Sequence, residues 1–188
     1  MARRYSDRSR CRIIVTACLL LLIIGKRIPG FSQPSEYLLK AVFLEKFTRF
    51  IDWPDAVHPA DSTGLFIIGI LGEDPFDVDL ETVYKNQKIK NRPVRVRNCQ
   101  QIHEVDDCDL LFISQSEKDR IPEIISSVEG KPILTVSDSD EFSGKGVIIN
   151  MFVTNNKVRF EIDEQAIQRA GFHVSYLLLK EAKIVNCH

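Results

Sequence analysis

Residues 65–71 read Leu-Phe-Ile-Ile-Gly-Ile-Leu, a nearly unbroken apolar run of strand length that ends at the polar turn 72–75. Such runs are typical of strands covered on both faces, as in parallel sheets with helices on each side. Shorter strands are predicted at 94–97, 110–113 and 133–136, with helical patterns at 77–84 and 117–128. Strands that alternate with helices predict right-handed crossovers and a three-layer α/β sandwich.

The second half of the chain adds an antiparallel element. Strand patterns at 147–153 and 157–162 flank Asn155-Asn156, a pair that tolerates positive φ in a tight hairpin. We therefore expect one α/β domain over residues 33–188. Its sheet is mostly parallel, has about six strands and carries an antiparallel C-terminal hairpin.

An amphipathic helix is predicted before the first strand. Ser35-Glu36 is a capping signal, and apolar residues then recur at helical spacing up to Trp53-Pro54. Four aromatic residues form a stripe along this segment, which is core in one interpretation and a groove for a partner in the other. They are Phe43, Phe47, Phe50 and Trp53.

Residues 1–32 have the three parts of a secretory signal peptide. A basic region to Arg12 precedes the apolar run 13–24, and small residues at Gly30 and Ser32 allow cleavage before Gln33. Twelve residues at about 1.5 Å each are too short for a hydrocarbon core of about 30 Å, so we expect no permanent membrane anchor. A retained signal is the alternative. The expected location is the periplasm.

The charge balance excludes one class of partner. Residues 33–188 hold 18 bases against 25 acids, because seven of the 25 bases lie in the signal region. Nucleic-acid binding needs a basic surface that releases counterions from phosphates, so no nucleic acid is expected as a partner.

Polar residues follow several predicted strands. In an open α/β sheet the carboxyl ends of the strands are where ligands bind. Here they carry the candidate ligand-binding residues Glu73, Ser114, Ser137 and Asp138. The alternative role is capping of helices and turns, which Ser and Asp commonly serve.

Three cysteines follow the signal region and are the disulfide or redox candidates: Cys99, Cys108 and Cys187. A Cys99–Cys108 bond would add about 2 to 3 kcal/mol by loop closure. Strand geometry argues against this bond. Cys99 ends one predicted strand and Cys108 begins the next, which places the two sulfurs about 15 Å apart by strand rise. Cys187 is free to pair with either or to cross-link two chains, and small buried thiols are the remaining interpretation.

Motifs for catalysis, cofactors and metals are absent from the sequence. There is no GxxxxGK[ST], GxGxxG, GxSxG, HExxH or CxxC, and none of the four histidines lies in a nucleophile or metal-ligand motif. We therefore expect no enzyme activity, no cofactor and no metal.

The last predicted helix is apolar on more than one face. A terminal helix of this kind has more apolar surface than its own sheet covers, which indicates a docking surface or the interface of a homodimer. The candidate partner-binding residues are Tyr176, Leu178 and Leu179.

Several blocks of the sequence, in this order, resemble the YfiR/HmsC-like family of periplasmic proteins. They are Glu36-Tyr37-Leu38-Leu39-Lys40-Ala41 leading to Trp53-Pro54, Cys108-Asp109-Leu110-Leu111-Phe112-Ile113-Ser114, Ile133-Leu134-Thr135-Val136-Ser137-Asp138 with Phe142, Asn150, Val158-Arg159-Phe160-Glu161-Ile162, Ala170-Gly171, and Leu177 to Leu179.

The resemblance implies a small periplasmic α/β regulator, often dimeric. Such a protein holds the periplasmic domain of a membrane-bound diguanylate cyclase or sensor inactive, and so lowers cyclic-di-GMP signalling and biofilm formation. It also implies a bonded cysteine at Cys108, with a partner well upstream. This chain has no cysteine between Gln33 and Asn98, so a disulfide switch of that kind is not expected here. The alternative function is an exported small-ligand-binding protein that uses the strand-end polar residues.

Overall fold

The computed structural model describes residues 35–54 and 64–185. The signal peptide predicted at 1–32, its cleavage site at Ser32/Gln33, and Cys187 lie outside these residues. The helices are α1 (Glu36–Phe50), α2 (Asp79–Tyr84), α3 (Ile121–Val128), α4 (Glu164–Ala170) and α5 (Tyr176–Leu179). The strands are β1 (Ile51–Asp52), β2 (Phe66–Leu71), β3 (Lys88–Ile89), β4 (Arg92–Cys99), β5 (Leu110–Ile113), β6 (Leu134–Ser137), β7 (Ile149–Thr154), β8 (Lys157–Asp163), β9 (His173–Val174) and β10 (Lys183–Val185). Short 3₁₀ helices occupy Ile102–Val105, Gln115–Arg120 and Asp140–Phe142.

A sheet of eight strands in the order β10-β8-β7-β6-β5-β2-β4-β3 forms the centre of the domain. The pairs from β4 through β2, β5 and β6 to β7 are parallel, and so is the pair of β8 with β10. The β7–β8 hairpin and the β3–β4 pair are antiparallel. The predicted α/β class, the mostly parallel sheet and the antiparallel hairpin are confirmed. The two additional strands are the short edge strands β3 and β10.

Two separate hydrophobic cores lie on the two faces of this sheet. Alternate residues of β2 enter different cores, with Ile68 and Ile70 on one face and Leu71 on the other. The first core includes residues of α1, α2 and α5, and the second includes residues of α3 and of the 3₁₀ helix 102–105. A strand covered on both faces has no side that must be polar, which explains why residues 65–71 are almost entirely apolar.

Helix α1 begins at a serine cap and buries one face. The Oγ atom of Ser35 accepts a hydrogen bond from the backbone N–H of Leu38 at 2.9 Å. Phe47 is fully buried and packs edge-on against Phe160. The other aromatic residues of the predicted stripe, Phe43, Phe50 and Trp53, are partly buried against the same core, so the stripe belongs to the core.

Helix α3 is shorter than the sequence predicts. The segment expected to be one helix from 117 to 128 is a 3₁₀ helix over Gln115–Arg120 followed by α3, which begins at Ile121. Pro122 has no backbone N–H to donate and is tolerated only in the first turn of a helix. It occupies that turn here, so the α-helix starts directly before it.

An ion pair with a buried carboxylate, Arg92–Asp109, lies at the start of β5. Arg92 Nη1 lies 2.7 Å from Asp109 Oδ1, and Asp109 Oδ2 accepts a hydrogen bond from the backbone N–H of Ile67 at 2.7 Å. Trp53 Nε1 donates to the carbonyl oxygen of Asp109 at 3.2 Å. These bonds connect the segment after α1 with strands β2, β4 and β5. They therefore fix the amino ends of these three strands relative to one another.

Candidate functional site

An open cleft of about 410 Å³ lies at the carboxyl ends of the central strands. The turn after β2 contributes Glu73 and Asp74, the segment after β5 contributes Ser114, and the residue after β6 is Asp138. Three of the four predicted ligand-binding residues thus line one cleft. The rest of its lining consists of Tyr37, Pro75, Gln115, Ser116 and Lys118.

Sheet topology explains why a cleft forms here. The chain leaves β2 towards β4 and leaves β5 towards β6, in opposite directions along the sheet. The first connection passes through α2 on one face, and the second passes through α3 on the other. Connections that diverge from adjacent parallel strands leave a crevice outside their carboxyl ends, which is the usual ligand position in open α/β folds.

Ser137 does not line the cleft. Its side chain is fully buried and donates a hydrogen bond to the carbonyl oxygen of Ile113 at 2.9 Å. Its hydroxyl therefore joins β6 to β5, which is a structural role. Capping also occurs within the cleft itself, since Asp74 Oδ1 accepts the backbone N–H of Phe76 at 2.8 Å.

Close packing fixes the two walls of the cleft against each other. Ser116 Oγ accepts the backbone N–H of Glu73 at 2.9 Å. Gly72 has a φ of +92°, and a Cβ placed on it would lie 2.3 Å from Ser116 Oγ. Only glycine allows this approach without displacing the serine, so the turn after β2 and the segment after β5 are held together.

A buried lysine, Lys40, contacts two residues of the cleft lining, Asp138 and Tyr37. Lys40 Nζ lies 2.7 Å from Asp138 Oδ2 and 2.5 Å from Glu36 Oε1. The side chains of Lys40 and Asp138 are only 4% and 6% exposed, whereas that of Glu36 is 52% exposed. The ammonium group also lies 4.5 Å from the centre of the Tyr37 ring. A charge this deeply buried persists in proteins only when it is paired.

The pKa of Lys40 is raised, because hydrogen bonds to nearby carboxylates outweigh the effect of burial. Burial by itself lowers the pKa of Lys40, but hydrogen bonds to Asp138 and Glu36 raise it above the ordinary lysine value. Burial and the neighbouring Asp138 charge raise the pKa of Tyr37, whose hydroxyl hydrogen bonds to Asp138. Lys40 is therefore charged and Tyr37 neutral at physiological pH.

Lys40 is the residue of this site that motif reasoning missed, although the sequence holds a signal for it. Lys40, Ala41, Leu44 and Phe47 share the buried face of α1. A lysine at a core-facing position of an amphipathic helix predicts a buried partner of opposite charge.

The C-terminal segment exposes one of the three predicted partner-binding residues, Tyr176, together with Leu177, which was not predicted. Tyr176 is 76% exposed and Leu177 is 54% exposed, whereas Leu178 is 6% exposed and belongs to the first core. Leu179 is partly buried against that core. Leu178 therefore has no surface to offer a partner, and the exposed pair is Tyr176 and Leu177.

The two described cysteines lie together, contrary to the separation of about 15 Å expected from strand rise. Cys99 and Cys108 are both fully buried free thiols, and their side chains hydrogen bond to each other. The expectation was wrong because both side chains lean over the strand between them, where Gly69 leaves space.

Two further properties concern the described part of the chain only. Within residues 35–54 and 64–185, no group of three or more His, Cys, Asp or Glu side chains is placed to hold a metal ion. The same residues contain no helix of the length and apolarity that crossing a bilayer requires.

A profile of the YfiR/HmsC-like family matches residues 37–183, from the second residue of α1 to the first residue of β10. The chain belongs to the YfiR/HmsC-like family. The proteins of this family are periplasmic regulators rather than enzymes, so membership supports a regulatory role. No curated protein matches the chain.

Two solved structures are similar to this YfiR/HmsC-like chain. A conserved domain protein from Vibrio cholerae matches with a TM-score of 0.51 and 10% identity, over 80% of this chain and 60% of the other. The ABC domain from Streptococcus pneumonia in complex with L-Trp matches with a TM-score of 0.49 and 13% identity, over 66% of this chain and 56% of the other. The chain spans less than two thirds of either protein.

Proposed function

We propose that this protein is a periplasmic regulatory binding protein that docks on the periplasmic domain of a membrane-bound diguanylate cyclase or sensor and holds it inactive. In this role it lowers cyclic-di-GMP signalling and biofilm formation. Family membership supports the regulatory part of the proposal. The observation that carries the docking part is the exposed apolar pair Tyr176 and Leu177.

Exposed apolar side chains concentrate at the C-terminal end of the described residues. Within residues 35–54 and 64–185, six large hydrophobic residues are exposed, and three of them lie within nine positions of one another along the chain. These three are Tyr176, Leu177 and Ile184. A concentration of exposed apolar groups indicates an interaction surface, whereas isolated ones are ordinary.

The exposed pair is held on a fixed support. Leu178 anchors α5 in the core, and Ser175 caps the helix by accepting the backbone N–H of Leu177 at 3.3 Å. The backbone N–H of Ser175 donates to the carbonyl oxygen of Phe50 at 2.8 Å. A side chain on an ordered backbone loses little entropy when a partner covers it, and tyrosine is enriched at such positions.

A complementation experiment in the bacterium that encodes this chain tests the proposal. Deletion of the gene is expected to raise cellular cyclic-di-GMP, and the wild-type protein is expected to restore it. The double variant Tyr176→Ser/Leu177→Ser is expected to fold normally but to leave cyclic-di-GMP high, because the docking surface has become polar.

The matched control is Val153→Ser, which removes an exposed apolar side chain from β7. It is expected to complement like wild type. If the double variant complements equally well, the docking surface is wrongly assigned. If the deletion leaves cyclic-di-GMP unchanged, the cyclase is the wrong partner. A concentration-dependent dimer that the double variant abolishes would assign the surface to a second copy of this chain.

Export is part of the proposal, because the partner domain lies in the periplasm. The mature protein is expected in the periplasmic fraction with an N-terminus near Gln33. Recovery of the intact 188-residue chain from the cytosol would contradict this step.

A second candidate function is supported by the cleft at the strand ends. Its position and its polar lining fit a small-ligand site. Native mass spectrometry of the protein released gently from the periplasm would test it. A retained small molecule that is lost in Glu73→Gln but kept in Val153→Ser would favour this function. A protein that retains no small molecule but still lowers cyclic-di-GMP would count against the ligand-binding function.

A further inference from the structure

A glycine in the central strand leaves room for two sulfur atoms. A Cβ placed on Gly69 would lie 2.4 Å from Cys108 Sγ and 3.4 Å from Cys99 Sγ. Real Cβ atoms do not approach other atoms to 2.4 Å, so any larger residue at this position would displace the sulfur of Cys108. Both thiols therefore share the space that the missing side chain leaves free.

The register of three strands explains how the thiols meet. Gly69 in β2 lies opposite Arg97 of β4 on one side and Leu111 of β5 on the other. Cys99 follows Arg97 by two positions and so points to the same face of the sheet. The connection from β4 to β5 passes over that face through the 3₁₀ helix 102–105 and ends at Cys108.

The surroundings favour sulfur chemistry at Cys99. A hydrogen bond from the Cys108 thiol and the positive charge of Arg97 outweigh burial and lower the pKa of Cys99 to about 7. Arg97 Nη2 also lies 3.6 Å from Cys108 Sγ. The hydrogen bond with Cys99 and burial raise the pKa of Cys108. In such a pair Cys99 is the better nucleophile, because the thiolate is the reactive form.

We propose that Cys99 and Cys108 form an intramolecular disulfide that closes the β4–β5 connection over Gly69. The oxidant is a small or protein disulfide of the exported compartment. The Cys99 sulfur attacks one oxidant sulfur, which breaks the oxidant's S–S bond and releases one thiol. The Cys108 sulfur then attacks Cys99 and releases the second thiol. Two electrons pass to the oxidant, and the two protons of the cysteine thiols end on the released thiols.

Burial determines when this exchange takes place. Neither thiol is exposed in the folded domain, so an oxidant reaches Cys99 only while the connection 100–108 is open, either before folding is complete or by local unfolding. The bond is therefore expected to form readily during refolding and slowly in the native protein. Once formed, it is protected from reductants by the same burial.

The test uses the reduced, unfolded mature chain, refolded with oxidised glutathione and then blocked with an alkylating reagent. Trypsin leaves both cysteines in one peptide, 98–118, because no lysine or arginine lies between them. That peptide is expected unalkylated and lighter by two hydrogens than its reduced form. Cleavage after Glu104 is expected to give two fragments joined until reduction.

The control variants separate this pair from the third cysteine. Cys187→Ser is expected to form the same bond. Reduction is expected to lower the Tm of this variant by roughly 5 to 10 °C, the shift that corresponds to closing a ten-residue loop. The double variant Cys99→Ser/Cys108→Ser is expected to show no shift. Two alkylated cysteines in peptide 98–118, or a bond from either of them to Cys187, would overturn the proposal. The assay does not involve the docking surface, so its failure would leave the proposed function untouched.

Discussion

Replacement of Lys40 by methionine is expected to destabilise the domain strongly. Methionine fills a similar volume but removes the ammonium group that lies 2.7 Å from Asp138. Asp138 would remain buried with a neutral hydrogen-bond donor, the hydroxyl of Tyr37, in place of its cationic partner. Removing one member of a buried ion pair typically costs about 3 to 5 kcal/mol, because the remaining charge is left uncompensated. We expect a loss of about 3 kcal/mol, at the lower end of this range, since the tyrosine hydroxyl remains.

Replacement of the other member of the ion pair, Asp138→Asn, is expected to lower the free energy of unfolding by less. Lys40 would keep the carboxylate of Glu36, which lies 2.5 Å away and is half exposed. A loss of about 1 to 2 kcal/mol follows from one weakened hydrogen bond and one lost charge. In the double variant no unpaired buried charge remains, so the combined loss is expected to fall below the sum of the single losses by about 1 to 3 kcal/mol.

Urea unfolding followed by tryptophan fluorescence is the appropriate assay. Trp53 is the single tryptophan and packs against Phe66 and Phe172 in the folded domain. With a slope of about 2 kcal/mol per molar urea, Lys40→Met is expected to lower the midpoint by about 1.5 M. Glu36→Gln is the matched control and is expected to shift it little, because exposed ion pairs contribute little. Equal midpoints for Lys40→Met and wild type would refute the reasoning.

Three further results are expected. The stability gap between wild type and Lys40→Met is expected to stay constant from about pH 6 to 9 in urea titrations, because the raised pKa of Lys40 keeps its contribution intact below its unfolded value of about 10.4. It is expected to close only as the pH rises through the folded-state pKa. Leu178→Ala is expected to cost about 2 to 4 kcal/mol and Leu177→Ala less than about 0.5 by the same assay, since only Leu178 is buried; equal losses would contradict the description of α5. Gly69→Ala is expected to cost about 1 to 3 kcal/mol and to slow disulfide formation in the refolding assay, because its Cβ would overlap the sulfur of Cys108; unchanged stability and rate would show that the space is not needed.

Hydrophobic patterning predicted the architecture because the decisive strands are buried on both faces. The run 65–71 has no polar alternation to confuse its assignment, and strands β2, β5 and β6 appear within a residue or two of the expected positions. The edge strands β3 and β10 were not predicted, because two or three residues carry no measurable period. The early part of the helix expected at 117–128 became 3₁₀ because Pro122 sets where the α-helix begins.

The candidate site was predicted in part. The strand-end rule brought Glu73, Ser114 and Asp138 to one cleft, since parallel strands end at the same edge of the sheet. Ser137 was misplaced because the side chain of the last residue of a strand can either bond to the neighbouring strand or face the cleft beyond it. Periodicity over four residues does not decide between these positions. The burial of Leu178 has a similar cause, because a one-turn helix can direct any one of its residues inward.

The cysteine prediction failed for a different physical reason. The separation expected between Cys99 and Cys108 counted only the rise along the strands. It ignored the glycine in the strand between them, which removes the one side chain that would keep the sulfurs apart. A glycine in the middle of a buried strand is itself a signal of close approach by neighbouring groups.

Site-specific photocrosslinking from position 176 in living cells tests the central claim most directly. A photoreactive amino acid in place of Tyr176 is expected to link the protein to a membrane-bound diguanylate cyclase or sensor, identified by mass spectrometry. The same probe at Val153 is expected to give no such product. Crosslinks from both positions to the same proteins, or no link from position 176 while cyclic-di-GMP is still suppressed, would contradict docking through the C-terminal segment.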